Sequence, residues 1–271
     1  MNNIKLLITD IDGTVLNEKC EYTPKLKNLF HILTNNGVKV VLATGRMFMG
    51  ADPVRQELEL KTPVVCYQGA MIREGDKILH QASVKNEIAK EVIETSRKKG
   101  FHLNLYNDDV LIVEDDNKKF MEDYTKGRHT TYKVVNSFDE VKLNVVSKLL
   151  AIVYDENELL KLQEEMKEQF KGRLTIVRSH KYYLEFTDPK ATKGEALKFL
   201  SNYWGIKKEE IMASGDQDND FDMLQNAGIK IAMGNASPKL KEIADFICPT
   251  INEDGLSFAI EKYITGEMKC V

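Results

Sequence analysis

Short apolar runs alternate with helical periodicities at both ends of the chain. Residues 4–9 (IKLLIT) read as a buried strand. Thr23 followed by Pro24 supplies an N-cap and a first helical residue. Leu26, Leu29, Phe30 and Leu33 then recur at helical spacing, and Asn36-Gly37 closes that helix. A second apolar run follows at 38–43 (VKVVLA), then a helix around 50–60, a strand at 63–67 and a hairpin turned by REGD at 73–76. The same alternation returns near the end: helix 194–203, strand 211–214, helix 219–226, strand 229–233, a helix opened by Ser237-Pro238, a short strand at 245–248 and a helix at 255–264. Strands alternating with helices predict right-handed β-α-β units on a parallel sheet.

Between 83 and 188 the pattern changes. Runs such as 101–106, 110–114, 148–154, 174–179 and 182–187 are rich in β-branched and aromatic residues with partial alternation. Helical patterns at 86–99, 116–126 and 156–170 separate them. Closely spaced runs such as 101–106 and 110–114 predict antiparallel hairpins. The fold class expected is therefore α/β: a doubly wound, Rossmann-like parallel-sheet core built from 1–82 and 189–271, with an inserted α+β domain at 83–188.

Composition narrows the function classes. The chain has 271 residues, 42% hydrophobic and 30% charged, as in an ordinary globular protein. A net charge of −4 argues against a dedicated nucleic-acid surface. No apolar run reaches the roughly 20 residues of a membrane span, and 4–8 is too short for the apolar part of a signal peptide. Cys20, Cys66, Cys248 and Cys270 form no C-x-x-C pair, which fits a reducing cytoplasm.

Chemistry concentrates where the parallel strands stop. Asp10 and Asp12 follow the first strand, with Gly13 to turn the chain. Two carboxylates this close need a cation or a shared proton, and a hard divalent cation is the simplest relief. A plain D-G turn is the competing reading. After the second strand, Thr44 and the Gly45 N–H can cradle a phosphate oxygen, although T-G-R is equally a strand-to-helix turn. Lys193 opens a helix, against the preference of that end for anions, as though reaching for one; a solvated lysine is the competing reading. After the strand at 211–214 come Gly215, Asp216, Asn219 and Asp220. Neither acidic stretch is an EF-hand loop: Val15 and Phe221 fill the sixth-position glycine, and Ala227 stands in place of the twelfth-position glutamate. Four segments thus converge on one face of one sheet, where ligands of open parallel sheets bind.

Together DIDGT (10–14), ATGR (43–46), TKGEAL (192–197) and GDQDNDFDML (215–224) resemble the haloacid dehalogenase-like hydrolases, in their Cof-type phosphatase branch with a large inserted cap. The resemblance covers the whole chain; Ile11 replaces the usual leucine of the first motif. It implies Asp10 as nucleophile and Asp12 as general acid and base. It implies Mg²⁺ held by Asp10, the Asp12 carbonyl and Asp216. Thr44, Gly45, Lys193 and Asn219 would bind the phosphoryl group, with Asp220 in support. The expected enzyme is a phosphatase of small phosphorylated metabolites, sugar phosphates or nucleotide-type cofactors, with neither nucleic-acid nor membrane partners, as a monomer or weak homodimer in the cytoplasm. A phosphotransferase or phosphomutase, a non-catalytic phosphometabolite-binding regulator, and a glycosyltransferase with a D-x-D metal site are the alternatives. Substrate selection is expected from the inserted domain, where His102, Tyr106, Arg128, His129, Arg178, His180 and Tyr182 are candidates and a surface or packing role is the competing reading for each.

Overall fold

The computed structural model describes residues 3–114, 118–125 and 130–265. In chain order the first elements are β1 (Leu6–Thr9), α1 (Pro24–Asn35), β2 (Lys39–Leu42), α2 (Phe48–Glu57), β3 (Val64–Cys66), β4 (Met71–Glu74) and β5 (Lys77–Gln81). Then come α3 (Asn86–Lys99), β6 (His102–Asn107), β7 (Val110–Val113), α4 (Lys118–Thr125), β8 (Tyr132–Val134), β9 (Val146–Ile152), α5 (Glu156–Gln169), β10 (Thr175–His180) and β11 (Tyr183–Thr187). The last are α6 (Lys193–Trp204), β12 (Ile211–Gly215), α7 (Phe221–Gln225), β13 (Ile229–Ala232), α8 (Pro238–Ile243), β14 (Phe246–Ile247) and α9 (Gly255–Ile260).

The chain divides into two compact units. The first comprises Met1–Thr44, Asp52–Val65 and Lys193–Val271; the second comprises Gly45–Ala51 and Cys66–Thr192. The sequence reading drew its borders at 82/83 and 188/189. Arg128 and His129 lie outside the described residues.

The first unit has the expected α/β class. Its sheet runs β14-β13-β12-β1-β2, with every pairing parallel. Ala43, just past β2, pairs in parallel with Val65. β1 is flanked by β12 and β2, and all four of its residues are buried, which is why LLIT is apolar without alternation. Thr23 caps α1 as predicted, its hydroxyl accepting from Leu26 N at 3.1 Å. The stripe Leu26, Leu29, Phe30 and Leu33 is buried. The helix expected at 219–226 is shorter: a 3₁₀ turn takes Asp218–Asp220, and α7 begins only at Phe221. The turn forms because Asp220 bonds backward to the loop instead of outward. The last helix also ends early, α9 giving way to a π turn at Glu261–Thr265.

The second unit carries a six-stranded sheet, order β10-β11-β9-β6-β7-β8. β6 and β7 form the predicted antiparallel hairpin, as do β4 and β5. β8 was not anticipated: YKV is short and exposed, and it pairs in parallel with β7. Leu103, Leu105, Leu149, Ala151, Leu184 and Phe186 fill one face of the sheet and pack in a core with Ile88, Val92, Leu159 and Met166 from α3 and α5.

Phe30, on the apolar stripe of α1, is fully buried. Phe30→Ala is expected to cost about 3–5 kcal/mol, read as the loss of unfolding free energy in urea.

Candidate active site

β1, β2 and β12 lie side by side in register, so their carboxyl ends meet. Thr9 pairs with both Leu42 and Ser214. The ladder continues one residue further, with Asp10 N donating to Ser214 O at 3.0 Å and Ala43 N to Thr9 O at 2.8 Å. Asp10, Thr44 and Asp216 therefore follow the ends of neighbouring strands of the first unit, as the strand-end logic predicts.

The side chains meet more closely than spacing alone could tell. The Lys193 ammonium donates to Asp10 Oδ1 and to Asp220 Oδ1, each at 2.5 Å. Lys193 and Asp220 are both 0% exposed, and Asp10 is 6% exposed. Asp10, Asp216 and Asp220 each place a carboxylate oxygen within 4.8 Å of the others. A lysine at the first residue of α6 works against the helix dipole. Two buried carboxylates outweigh that cost.

Asp220 braces the loop. Its second oxygen, Oδ2, accepts from Asp216 N at 3.0 Å and Gln217 N at 3.1 Å. Both of its oxygens are thus engaged, which suits a supporting acid better than a metal ligand. Asp216 accepts from Thr14 Oγ1 at 3.3 Å and from Gln217 Nε2 at 3.0 Å. Gly13 has φ +88°, and a side chain there would run into the Asp216 carboxylate. The glycine is required by the approach of the two loops as well as by the turn.

Electrostatics separates the acids. Burial, then repulsion from Asp220, raises the Asp216 pKa to about 7. Burial raises Asp10 well above the usual carboxylate range; Lys193 opposes this, while Asp220, Asp216 and Asp12 add to it. Burial works against the charge of Lys193, but Asp10 and Asp220 prevail and its pKa is raised. Buried oxygen donors whose charge is this poorly relieved suit a hard divalent cation.

The remaining predicted residues are placed as follows. Asp12 is exposed, in the bridge Asp12–Leu16. Thr44 is buried, its N–H donating to Val65 O at 2.9 Å. Asn219 is half-buried in the 3₁₀ turn. Gly45 belongs to the second unit. Asp218 is exposed and accepts from Ser237 Oγ at 2.7 Å.

Sequence reasoning assigned no role to Thr14, Gln217 or Asn235. Asn235 Nδ2 donates to Gly13 O at 2.9 Å and reaches Asp216 Oδ2 at 3.5 Å, while its Oδ1 accepts from Ile251 N at 2.9 Å. Its signal was its place, three residues past β13, in the same strand-end position as the acids.

Residues 7–260 match the family model of haloacid dehalogenase-like hydrolases. The chain belongs to the haloacid dehalogenase-like hydrolases. A Haemophilus influenzae protein provisionally named a phosphatase is 32% identical over 263 residues, covering 95% of this chain and 97% of the relative. A haloacid dehalogenase-like hydrolase from Bacteroides thetaiotaomicron superposes with a TM-score of 0.84 at 28% identity, over 96% of this chain and 99% of that one. A subclass IIB sugar phosphatase superposes with a TM-score of 0.83 at 25% identity, over 96% and 98%. The enzyme class expected from the motifs, a phosphatase of this family, is the class these relatives carry by name. Among the described residues, no helix is long and apolar enough to cross a membrane.

Raising the Asp216 pKa from the ordinary 3.8 to about 7 has a signed consequence. The folded chain favours the protonated acid, so this stabilising contribution is complete below about pH 4 and lost as pH rises through about 7. A cation needs the deprotonated acid and releases its proton on binding. Stabilisation by Mg²⁺ should therefore be larger at pH 8 than at pH 6, on the order of 2.7 kcal/mol at a hundredfold excess over Kd. Asp216→Asn should erase most of it. Thermal melts with and without Mg²⁺ at both pH values check this.

Proposed function

We propose that this chain is a Mg²⁺-dependent phosphatase of small phosphorylated metabolites, working through an aspartyl-phosphate. The observation that carries the reading is the Lys193 ammonium shared between Asp10 and Asp220 beside Asp216 at the parallel-strand ends. It supplies a buried carboxylate held next to a cation, where an anionic substrate could otherwise not approach it.

In the first step an Asp10 carboxylate oxygen attacks phosphorus, and the bond from phosphorus to the ester oxygen breaks. Asp12 gives its proton to the departing alkoxide. In the second step Asp12 takes a proton from water, the hydroxide attacks phosphorus, and the bond to Asp10 breaks to release inorganic phosphate. The exposure of Asp12 suits a group that exchanges protons with leaving group and water. Lys193, Thr44, the Gly45 N–H and Asn219 take the phosphoryl oxygens and stabilise the charge that spreads over them. Asp10, the Asp12 carbonyl and Asp216 would hold Mg²⁺, which when bound offsets repulsion between the nucleophile and the substrate. Asp220 orients Lys193 and the loop.

Sugar phosphates are the favoured substrate class, by analogy with the sugar phosphatase above, with nucleotide-type cofactors as the second class the reading admits. The net charge of −4 argues against nucleic acid as the partner. We assign the enzyme to the cytoplasm, without membrane partners, as a monomer or weak homodimer. The second compact unit, built largely from the inserted segment, is the proposed source of substrate selection. There His102 Nε2 meets Asn104 Oδ1 at 3.0 Å, Arg178 pairs with Glu156 at 2.9 Å, and the His180 ring lies 4.7 Å from that of Tyr183.

The protein should hydrolyse p-nitrophenyl phosphate with Mg²⁺. Asp10→Asn should lower kcat by roughly 10³-fold or more while leaving the melting transition in place. Equal turnover in that variant, or full activity in excess chelator, contradicts the mechanism.

A further inference from the structure

The second unit's sheet has one apolar face and one that is not. Opposite the leucines, strands β6, β9 and β11 present Asn104, Tyr106, Lys148 and Glu185, all buried. Lys148 is 1% exposed and Glu185 is 3% exposed. Lys148 Nζ donates to Glu185 Oε2 at 3.0 Å and sits 4.9 Å from the Tyr106 ring centroid. Glu185 Oε1 accepts from Ser179 Oγ at 2.6 Å.

A buried ion pair of this kind is a poor stability device. Desolvation takes back most of its attraction, and an apolar pair of equal volume is often as stable. The third contact of Lys148 is therefore informative. Its ammonium donates to the Gly45 carbonyl at 2.6 Å, closer than to its own counterion. Gly45 and Lys148 lie in the same compact unit although 103 residues separate them. A methyl group at position 45 would crowd the Gln68 amide and come within 3.1 Å of Glu185 Oε1. The glycine is thus enclosed by this polar cluster. Glycine is the residue whose peptide most needs an external restraint, and here a charge-assisted bond provides one.

We propose that Lys148 is a positioning residue that fixes the Gly45 carbonyl and, through the Gly45 Cα, restrains the N–H of the preceding peptide for phosphoryl binding; this rests on the reading of the Gly45 N–H as a phosphoryl ligand. Lys148 acts through the backbone of Gly45. A shift of the order of 1 Å in such a group costs about 10²-fold in rate.

Two variants separate the tether from the ion pair. Glu185→Gln keeps the Lys148 amine against Gly45, whereas Lys148→Met combined with Glu185→Gln removes the donor and leaves no unpaired charge. With Mg²⁺ and p-nitrophenyl phosphate, kcat of the double variant should fall roughly 10- to 100-fold, with KM within about threefold of the parent. The Ki of orthovanadate, which mimics the five-coordinate phosphoryl group, should rise by the same factor. Glu185→Gln should stay within about fivefold of the parent in both readouts. Equal kcat and vanadate Ki in the two variants overturn the proposal. So does a double variant that fails to fold where Glu185→Gln folds, because Lys148 is then a structural residue only. A parent protein with no turnover overturns the functional reading and this proposal together; a turning-over parent whose double variant is unchanged overturns this proposal alone.

Discussion

One buried ammonium organises the strand-end cluster of the first unit. Asp10, Asp216 and Asp220 crowd within a few ångströms of one another, and burial raises the pKa of the first two. Without a cation among them, such a cluster would take up protons and lose its charge. Lys193 supplies that cation to Asp10 and Asp220 while itself fully buried. Its position at the start of α6 ties that helix to the end of β1 and to the loop after β12. Asp220 completes the tie by accepting from two backbone N–H groups of the same loop. One constraint thus sets the relative placement of three segments far apart in sequence.

That constraint also gives the acids different surroundings. Asp220 is occupied on both oxygens, by the lysine and by the loop. Asp216 accepts from Thr14 and Gln217 and keeps a raised pKa, which is compatible with the metal-ligand role proposed for it. Asp10 faces the ammonium with one oxygen, which opposes, without cancelling, the rise in pKa that burial imposes on it. Asp12, exposed two residues on, is in the environment a proton carrier needs.

The sequence made the architecture legible where burial writes itself as pattern. Apolar runs without alternation marked β1, β2, β12 and β13, and Thr23-Pro24 marked the start of α1. Legibility failed where short-range polar bonds decide the backbone. The Asp218–Asp220 turn depends on Asp220 bonding back to residues 216 and 217, which no periodicity shows. β8 depends on its neighbour β7 and carries no apolar signal of its own. In the site, the strand-end positions singled out Asp10, Thr44 and Asp216, and the misplaced charge of Lys193 drew notice to it. The hydrogen bonds of Asn235 and Gln217 and the hold of Lys148 on Gly45 arise from tertiary approach, and spacing along the chain carries no trace of them.

The account stands on Asp10 being a nucleophile paired with Lys193, and not merely a metal ligand. An acyl phosphate on its side chain can be trapped by quenching turnover and reducing the mixture with borohydride, which converts the phosphorylated aspartate to homoserine. Peptide mass spectrometry then reads the position. The account predicts homoserine at position 10, formed only when substrate and Mg²⁺ are both present. Rapid turnover with Asp10 unmodified, or the mark at Asp12, Asp216 or Asp220 instead, would contradict it.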